Sequence, residues 1–348
     1  MTNSHPIRLD HFIAAANAAY YGRKNPFADF ITAPEISQMF GELIAIWVIM
    51  VIRSMPNGTK ITLAEAGPGQ GTLMADMLRV IRQASPDIYQ NCSVIFVETS
   101  ERLRQKQKEA LADHTDLSIS WYNTIEAIPS QPMILIANEF LDALPIRQFV
   151  KISSNEWAEH YVDQEQLVQK PVEHLPDAPI FQRPIKKGDI VEVCEVGQEI
   201  IKNLANRIYK DGGAALFIDY GYASAVWGDT LQAIAGGEKV SPFVSPGEAD
   251  LTAHIDFLAL KEIVMATGAQ AYGIQTQGEF LKQLGLMVRA KILSARATEI
   301  EQKQISQAVH RLIDPSEMGD LFKVMAITSP DLPIPPAFEL KREENNEC

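Results

Sequence analysis

Five short, mainly apolar and β-branched runs punctuate the first two thirds of the chain: Ile61–Ala64, Ser93–Val97, Leu117–Tyr122, Pro132–Ala137 and Ala214–Ile218. Runs of this length suit strands buried on both faces. Between them apolar residues return every third or fourth place, as in Leu73, Met77, Leu78 and Ile81. The stripe Ile200, Ile201, Leu204 and Ile208 lies in a stretch, Val191 to Asp211, that reads as one helix closed by Gly212-Gly213. Strand and helix in alternation predict an α/β fold with a mostly parallel sheet. Ahead of the first run, Leu9 to Tyr20 predicts a modest helix. Thr32-Ala-Pro34-Glu35 then opens a second helix, with Thr as N-cap and Pro in the first turn, running to about Ser54.

The rhythm breaks after the fourth run. Arg147–Ile152 and Glu156–Asp163 alternate as a hairpin does, and Pro171, Pro176, Pro179 and Pro184 follow. Residues 143–189 therefore read as an antiparallel insertion near the mouth of any site. Residues 223–254, rich in Gly and Pro, read as a functional cover loop. Beyond it come a helix (Ile255–Ala266), a strand (Ala269–Ile274), two helices (Gln277–Leu284 and Glu299–Ile313) and a last strand (Leu321–Thr328).

A formal charge of −13 argues against a nucleic-acid partner, which calls for a basic surface. Cys92, Cys194 and Cys348 share no short spacing, so neither a disulfide frame nor a metal site is expected. The longest apolar run, Leu43–Ile52, is half a membrane span, and no leader pattern precedes the first helix. These features predict a cytoplasmic protein without a membrane span.

The chemistry concentrates where the first run ends, at Glu65-Ala-Gly67-Pro68-Gly69-Gln-Gly71. Alternating glycines let backbone amides approach a ligand, and the helix behind them opens with unpaired N–H groups. A dinucleotide fingerprint needs its third glycine five places after the first, where this chain has Thr72. The order E-x-G-x-G-x-G instead resembles motif I of class I S-adenosylmethionine methyltransferases. Glu98, closing the second run ahead of Thr99, can accept hydrogen bonds from ribose hydroxyls, which serves either cofactor class. Tyr122-Asn123, ending the third run, could reach an adenine edge. Asn138, Glu139 and Asp142 end the fourth run, at the edge where parallel sheets bind ligands. His254 and Asp256 form a second candidate pair at the mouth. Tyr20, Tyr21 and Phe30 suit core packing or a cofactor cover.

Blocks in order along residues 8–328 resemble the MidA-type methyltransferase family: Asp29–Glu42, Glu65–Gly71, Glu98-Thr-Ser100, Asn138–Pro145, Asp219–Tyr222, Gly247–Phe257 and Thr276–Leu281. The chain departs from the family pattern at Ala28, Gln70 and Glu238-Lys239. That family includes a mitochondrial complex I assembly factor that dimethylates an arginine. The resemblance implies a Rossmann-like, seven-stranded, mostly parallel sheet with a reversed final hairpin. It divides the chain into an N-terminal helical cap (1–56), a methyltransferase domain (57–328) and a disordered tail (329–348). The implied cofactor is S-adenosyl-L-methionine, held by Glu65, Gly67, Pro68, Gly69, Gly71, Glu98, Thr99, Tyr122, Asn123 and Asn138, with no metal. The implied catalytic set is Glu139, Asp142, Asn138 and His254. Two carboxylates, Glu139 and Asp142, could clamp a guanidinium and take its proton. The implied partner is a protein substrate, a respiratory-complex component or another protein with a basic segment; a homodimer stays open. A small-molecule methyltransferase, a SAM-binding assembly chaperone and an NAD-dependent oxidoreductase are the alternatives.

Overall fold

The computed structural model describes residues 5–23 and 32–339. Its central sheet runs, edge to edge, through Gln270–Thr276, Phe322–Thr328, Gly213–Tyr222, Met133–Asn138, Ile61–Ala66, Cys92–Val97 and Ile119–Tyr122. A two-residue strand, Ile255–Asp256, pairs with Gly213–Tyr222, so the sheet holds eight strands where seven were expected. The five strands from Gly213–Tyr222 to Ile119–Tyr122 are mutually parallel. Phe322–Thr328 lies antiparallel to both of its neighbours. At the head of Gly213–Tyr222, a Cβ on Gly213 would stand 2.1 Å from the Met133 carbonyl, so only glycine allows that pairing.

Strand residues alternate between two apolar layers, as a period of two demands. Leu63, Phe96, Ile136 and Leu216 face one layer, packed with Phe40, Trp47, Met77 and Phe280. Ala64, Ile95, Leu135 and Phe217 face the other, packed with Ile201, Leu204, Phe257 and Val264. Fully burying a side chain such as Phe40 or Phe96 contributes about 1.5–3 kcal/mol. The helix Gln38–Arg53 thus belongs to the sheet's own core and is no detached cap. It is also interrupted: Ala33–Ile36 is a separate turn, and Thr32 makes no side-chain cap. Ser37 caps the long helix instead, accepting from the Met39 amide.

The insertion forms its own five-stranded sheet from Arg147–Lys151, Trp157–Asp163, Gln166–Val172, Ile190–Val193 and the N-terminal Ile7–Arg8. Ile190–Val193 stands where the pattern predicts helix from Val191. The helix begins only at Glu195, with Cys194 as its N-cap. Residues 223–254 hold a three-stranded sheet, Gln232–Ala235, Glu238–Val240 and Asp250–Thr252. Ala249, Leu251 and Ala253 pack on Leu9, Phe12, Ile13 and Ala16 of the first helix, Leu9–Arg23. Residues 329–339, expected to belong to a disordered tail, are described and contact the core. Leu332 is buried, Phe338 meets the Phe280 ring at 5.6 Å, and Gln275 donates to the Ala337 carbonyl at 2.7 Å. Apolar residues of the segment find a place on the core, and residues 340–348 lie outside the described part. Among the described residues no helix is long and apolar enough to cross a membrane.

Candidate active site

A cleft of about 1070 Å³ opens at the carboxyl ends of Ile61–Ala66, Cys92–Val97 and Met133–Asn138. The glycine loop forms one wall. Gly67, Gly69 and Gly71 take positive φ of 66°, 52° and 87°, conformations that favour glycine. A Cβ on Gly67 would come within 3.0 Å of the Phe140 ring. Gly71 does not line the cleft; a Cβ there would stand 3.1 Å from the Gln107 Cα, so this glycine lets helix Glu101–Ala110 approach.

Gln107 is fully buried and joins three parts of the wall. It donates to the Gly69 carbonyl at 2.8 Å and to the Glu98 carboxylate at 3.3 Å, and it accepts from the Trp121 indole at 2.8 Å. The sequence reading missed it, because nothing local distinguishes one glutamine on a polar helix. Glu98 is half-buried at the wall and accepts from the Ser100 amide at 2.7 Å. Burial pushes its carboxyl up against the pull of those hydrogen bonds. Thr99 and Asn123 line the cleft, and the Asn123 side chain is held by Arg104 at 2.6 Å. Tyr122 does not line it; its ring packs on the core and its carbonyl accepts from the Glu98 amide at 3.0 Å.

Two cleft-lining residues each keep a buried oxygen with no partner among the described residues: Glu65 Oε2 and Asn138 Oδ1. An unmet buried acceptor costs about 1–3 kcal/mol, so both mark places that a ligand donor would satisfy. Burial pushes the Glu65 carboxyl well above the carboxylate range.

Deeper in, Glu139 adopts φ 51°, left-handed backbone for a residue with a side chain. Its carboxylate accepts from Asn138 at 3.0 Å and from the Ala33 amide at 3.3 Å. The enclosing protein raises it to about 7, with Asp219 and Asp250 adding to the shift. Asp142 is buried and does not line the cleft. Its carboxyl is pushed well up by burial first and then by Asp219, Asp250 and Glu139. Of the two carboxylates expected to form a clamp, Glu139 lines the cleft and Asp142 is buried behind it. Tyr21 lines the cleft and donates to Asp250 at 2.7 Å, whereas Tyr20 is wholly buried in the interior. Phe30 lies outside the described residues.

The mouth differs from expectation. His254 stacks on Tyr220 at 6.4 Å and its amide donates to Thr230; it does not line the cleft. Asp256 caps the helix Phe257–Ala266 and pairs with Arg183 at 2.8 Å. The segment passes directly from sheet into helix, which spends both side chains on structure. No residue of 223–254 lines the cleft, and of the insertion only Ala143 and Leu144 do. Among the described lining residues none is Lys or Arg. Glu65, Glu98 and Glu139 lie inside, and Glu35, Glu126, Glu195 and Glu199 are exposed on the rim.

A glycine loop between strand and helix, an acid closing the next strand and a cleft with no Lys or Arg among its described lining residues define a nucleoside-cofactor site. Residues 43–275 match the family described as "Putative S-adenosyl-L-methionine-dependent methyltransferase". The chain is 34% identical over 327 residues to the mitochondrial protein arginine methyltransferase NDUFAF7 of Danio rerio, covering 86% of this chain and 76% of that protein. The human protein of the same name is 34% identical, with 86% and 73% covered, and the Drosophila melanogaster homologue 31%, with 89% and 78%. A Burkholderia thailandensis protein, crystallised with S-adenosyl-homocysteine, superposes with a TM-score of 0.77 at 25% identity, over 95% of this chain and 90% of its own. The chain belongs to this methyltransferase family and is an S-adenosylmethionine-dependent methyltransferase. The cytoplasmic placement is corrected: the relatives from fish, human and mouse are all mitochondrial proteins. The residues present fit the cofactor, since Glu65 and Asn138 oxygens with no partner among the described residues stand in a cleft lined by Gly67 and Gly69 at positive φ.

Proposed function

We propose that the chain methylates an arginine side chain of a protein, presented on a basic segment. The observation that carries this reading is the electrostatics of the cleft: seven glutamates and, among the described residues, no lysine or arginine. Such a wall favours a cationic acceptor. The names of the vertebrate relatives, protein arginine methyltransferases, support the same acceptor.

In this reading Glu98 holds the ribose, the loop residues Gly67 to Gln70 back the adenosyl group, and Thr99 and Asn123 border the base. Asn138 orients the cofactor's amine. When bound, S-adenosylmethionine supplies a methyl group on a positively charged sulfur. Glu139 holds the guanidinium through charge-assisted hydrogen bonds and takes the proton released as an arginine nitrogen is alkylated. A carboxyl raised to about 7 is well matched to that exchange near neutrality. Residues 57–328 act as the transferase domain, its sheet read as the seven-stranded type with a reversed last strand, and the packing of helix Gln38–Arg53 into the same core supports including that helix.

Incubation with methyl-labelled S-adenosylmethionine and a protein extract should label a protein band whose hydrolysate contains methylarginine. Label confined to the low-mass fraction would select a small-molecule acceptor. No label, from enzyme that binds the cofactor by calorimetry, would refute the reading.

A further inference from the structure

Glu139 keeps left-handed backbone, φ 51°, which a residue with a side chain holds only when its surroundings over-determine it. The group that does so comes from the neighbouring strand. Asp219 is 1% exposed, and its Oδ2 accepts from the amides of Phe140 at 3.1 Å, Leu141 at 2.8 Å and Asp142 at 3.3 Å. Its Oδ1 accepts from the Tyr220 amide at 2.9 Å, and the Glu139 amide donates to the Ile218 carbonyl at 2.9 Å. Every amide from 139 to 142 is thus tied to residues 218–219. Asp219 itself does not line the cleft; both oxygens turn inward to backbone.

We propose that Asp219 is a positioning residue for methyl transfer, clamping the turn at 140–142 so that the Glu139 carboxylate is aimed into the cleft. This rests on the reading of Glu139 as the group that holds the acceptor. One oxygen gathering three amides suits a carboxylate, and those amides pull down a carboxyl that burial raises to about 7. An asparagine oxygen is neutral and has two lone pairs, and the asparagine amide would face the Tyr220 N–H, donor against donor. Asp219→Asn therefore frees part of the turn. The glycine loop and Glu98 make none of these contacts, so the cofactor wall stays as it is.

The test is a double-variant cycle in the full chain: wild type, Asp219→Asn, Glu139→Gln and the pair, each measured for kcat with saturating acceptor and for S-adenosylhomocysteine affinity by calorimetry. Asp219→Asn should lower kcat about 100-fold, the usual loss for misplacement by about 1 Å. Cofactor affinity should stay unchanged, and the substitution should add no further loss in the Glu139→Gln background. If the two effects multiply, or if cofactor affinity falls together with kcat, Asp219 supports the fold generally and the proposal is overturned. Full kcat in Glu139→Gln alone would instead remove the reading of Glu139 and the proposal with it. If Asp219→Asn does not fold, Asp219→Ser, whose hydroxyl can still accept one amide, takes its place under the same criteria. Failure of both to fold assigns Asp219 to stability and overturns the proposal.

Discussion

Glu139→Gln should weaken catalysis and strengthen the fold, and the second effect should depend on pH. Glutamine keeps the side-chain oxygen that accepts from Asn138 and Ala33, so geometry is little disturbed. It loses the charge. The carboxyl moves from 4.5 to about 7 on folding, and at about 1.4 kcal/mol per unit the ionised form costs the native state about 3 kcal/mol. Glu139 is only half-buried, so cleft water screens part of that, and about 1–3 kcal/mol is the working range. The sign follows from linkage. Below pH 4.5 the group is protonated folded and unfolded, and no penalty exists; between 4.5 and about 7 only the unfolded state ionises it and stability is lost, and above about 7 the loss is complete. Denaturant melts at pH 5 and pH 8 should therefore show little difference at pH 5 and a glutamine variant more stable at pH 8. Methyl transfer by that variant should fall about 10²–10⁴-fold, the size of a lost acid–base group. Identical pH dependence in the two proteins, or a fully active glutamine variant, would refute the reasoning.

Glu98→Ala should weaken S-adenosylmethionine by about 1–3 kcal/mol through lost charge-assisted hydrogen bonds, read by calorimetry; unchanged affinity would remove Glu98 from the cofactor wall. Gly69→Val should abolish cofactor binding, because a branched side chain is strained at φ 52° and this glycine lines the cleft; retained affinity would contradict that placement. His254→Ala should leave kcat and cofactor affinity unchanged, since the ring stacks on Tyr220 away from the lining residues; a large loss of kcat would return His254 to the site.

What the sequence revealed is what short-range order encodes. The parallel strands were legible because a strand buried on both faces is a near-continuous apolar run, as in Met133–Asn138. The glycine loop and Glu98 were legible because each is a local turn following such a run. Ile190–Val193 was not: its residues join smoothly to the amphipathic stripe of the next helix, and only pairing with Arg147–Lys151 makes them a strand. Glu139 and Asp142 look equivalent in the chain, three places apart. They diverge because Asp219, which gathers the amides of residues 140–142, comes from almost 80 residues away. Gln107 and Tyr21 also owe their places to partners far along the chain, Gly69 at 38 residues and Asp250 at 229. His254 and Asp256 looked functional for the opposite reason: polar pairs at a strand–helix junction resemble a site until the cap and the Arg183 pair are seen.

The most direct measurement is a crystal structure of the chain with S-adenosylhomocysteine and an arginine-containing basic peptide. The adenosyl group should lie along Gly67 to Gln70 with its ribose at Glu98, and the guanidinium should meet the Glu139 carboxylate. A peptide whose arginine lies outside the cleft, with another side chain against Glu139, would contradict the reading of this protein as an arginine methyltransferase.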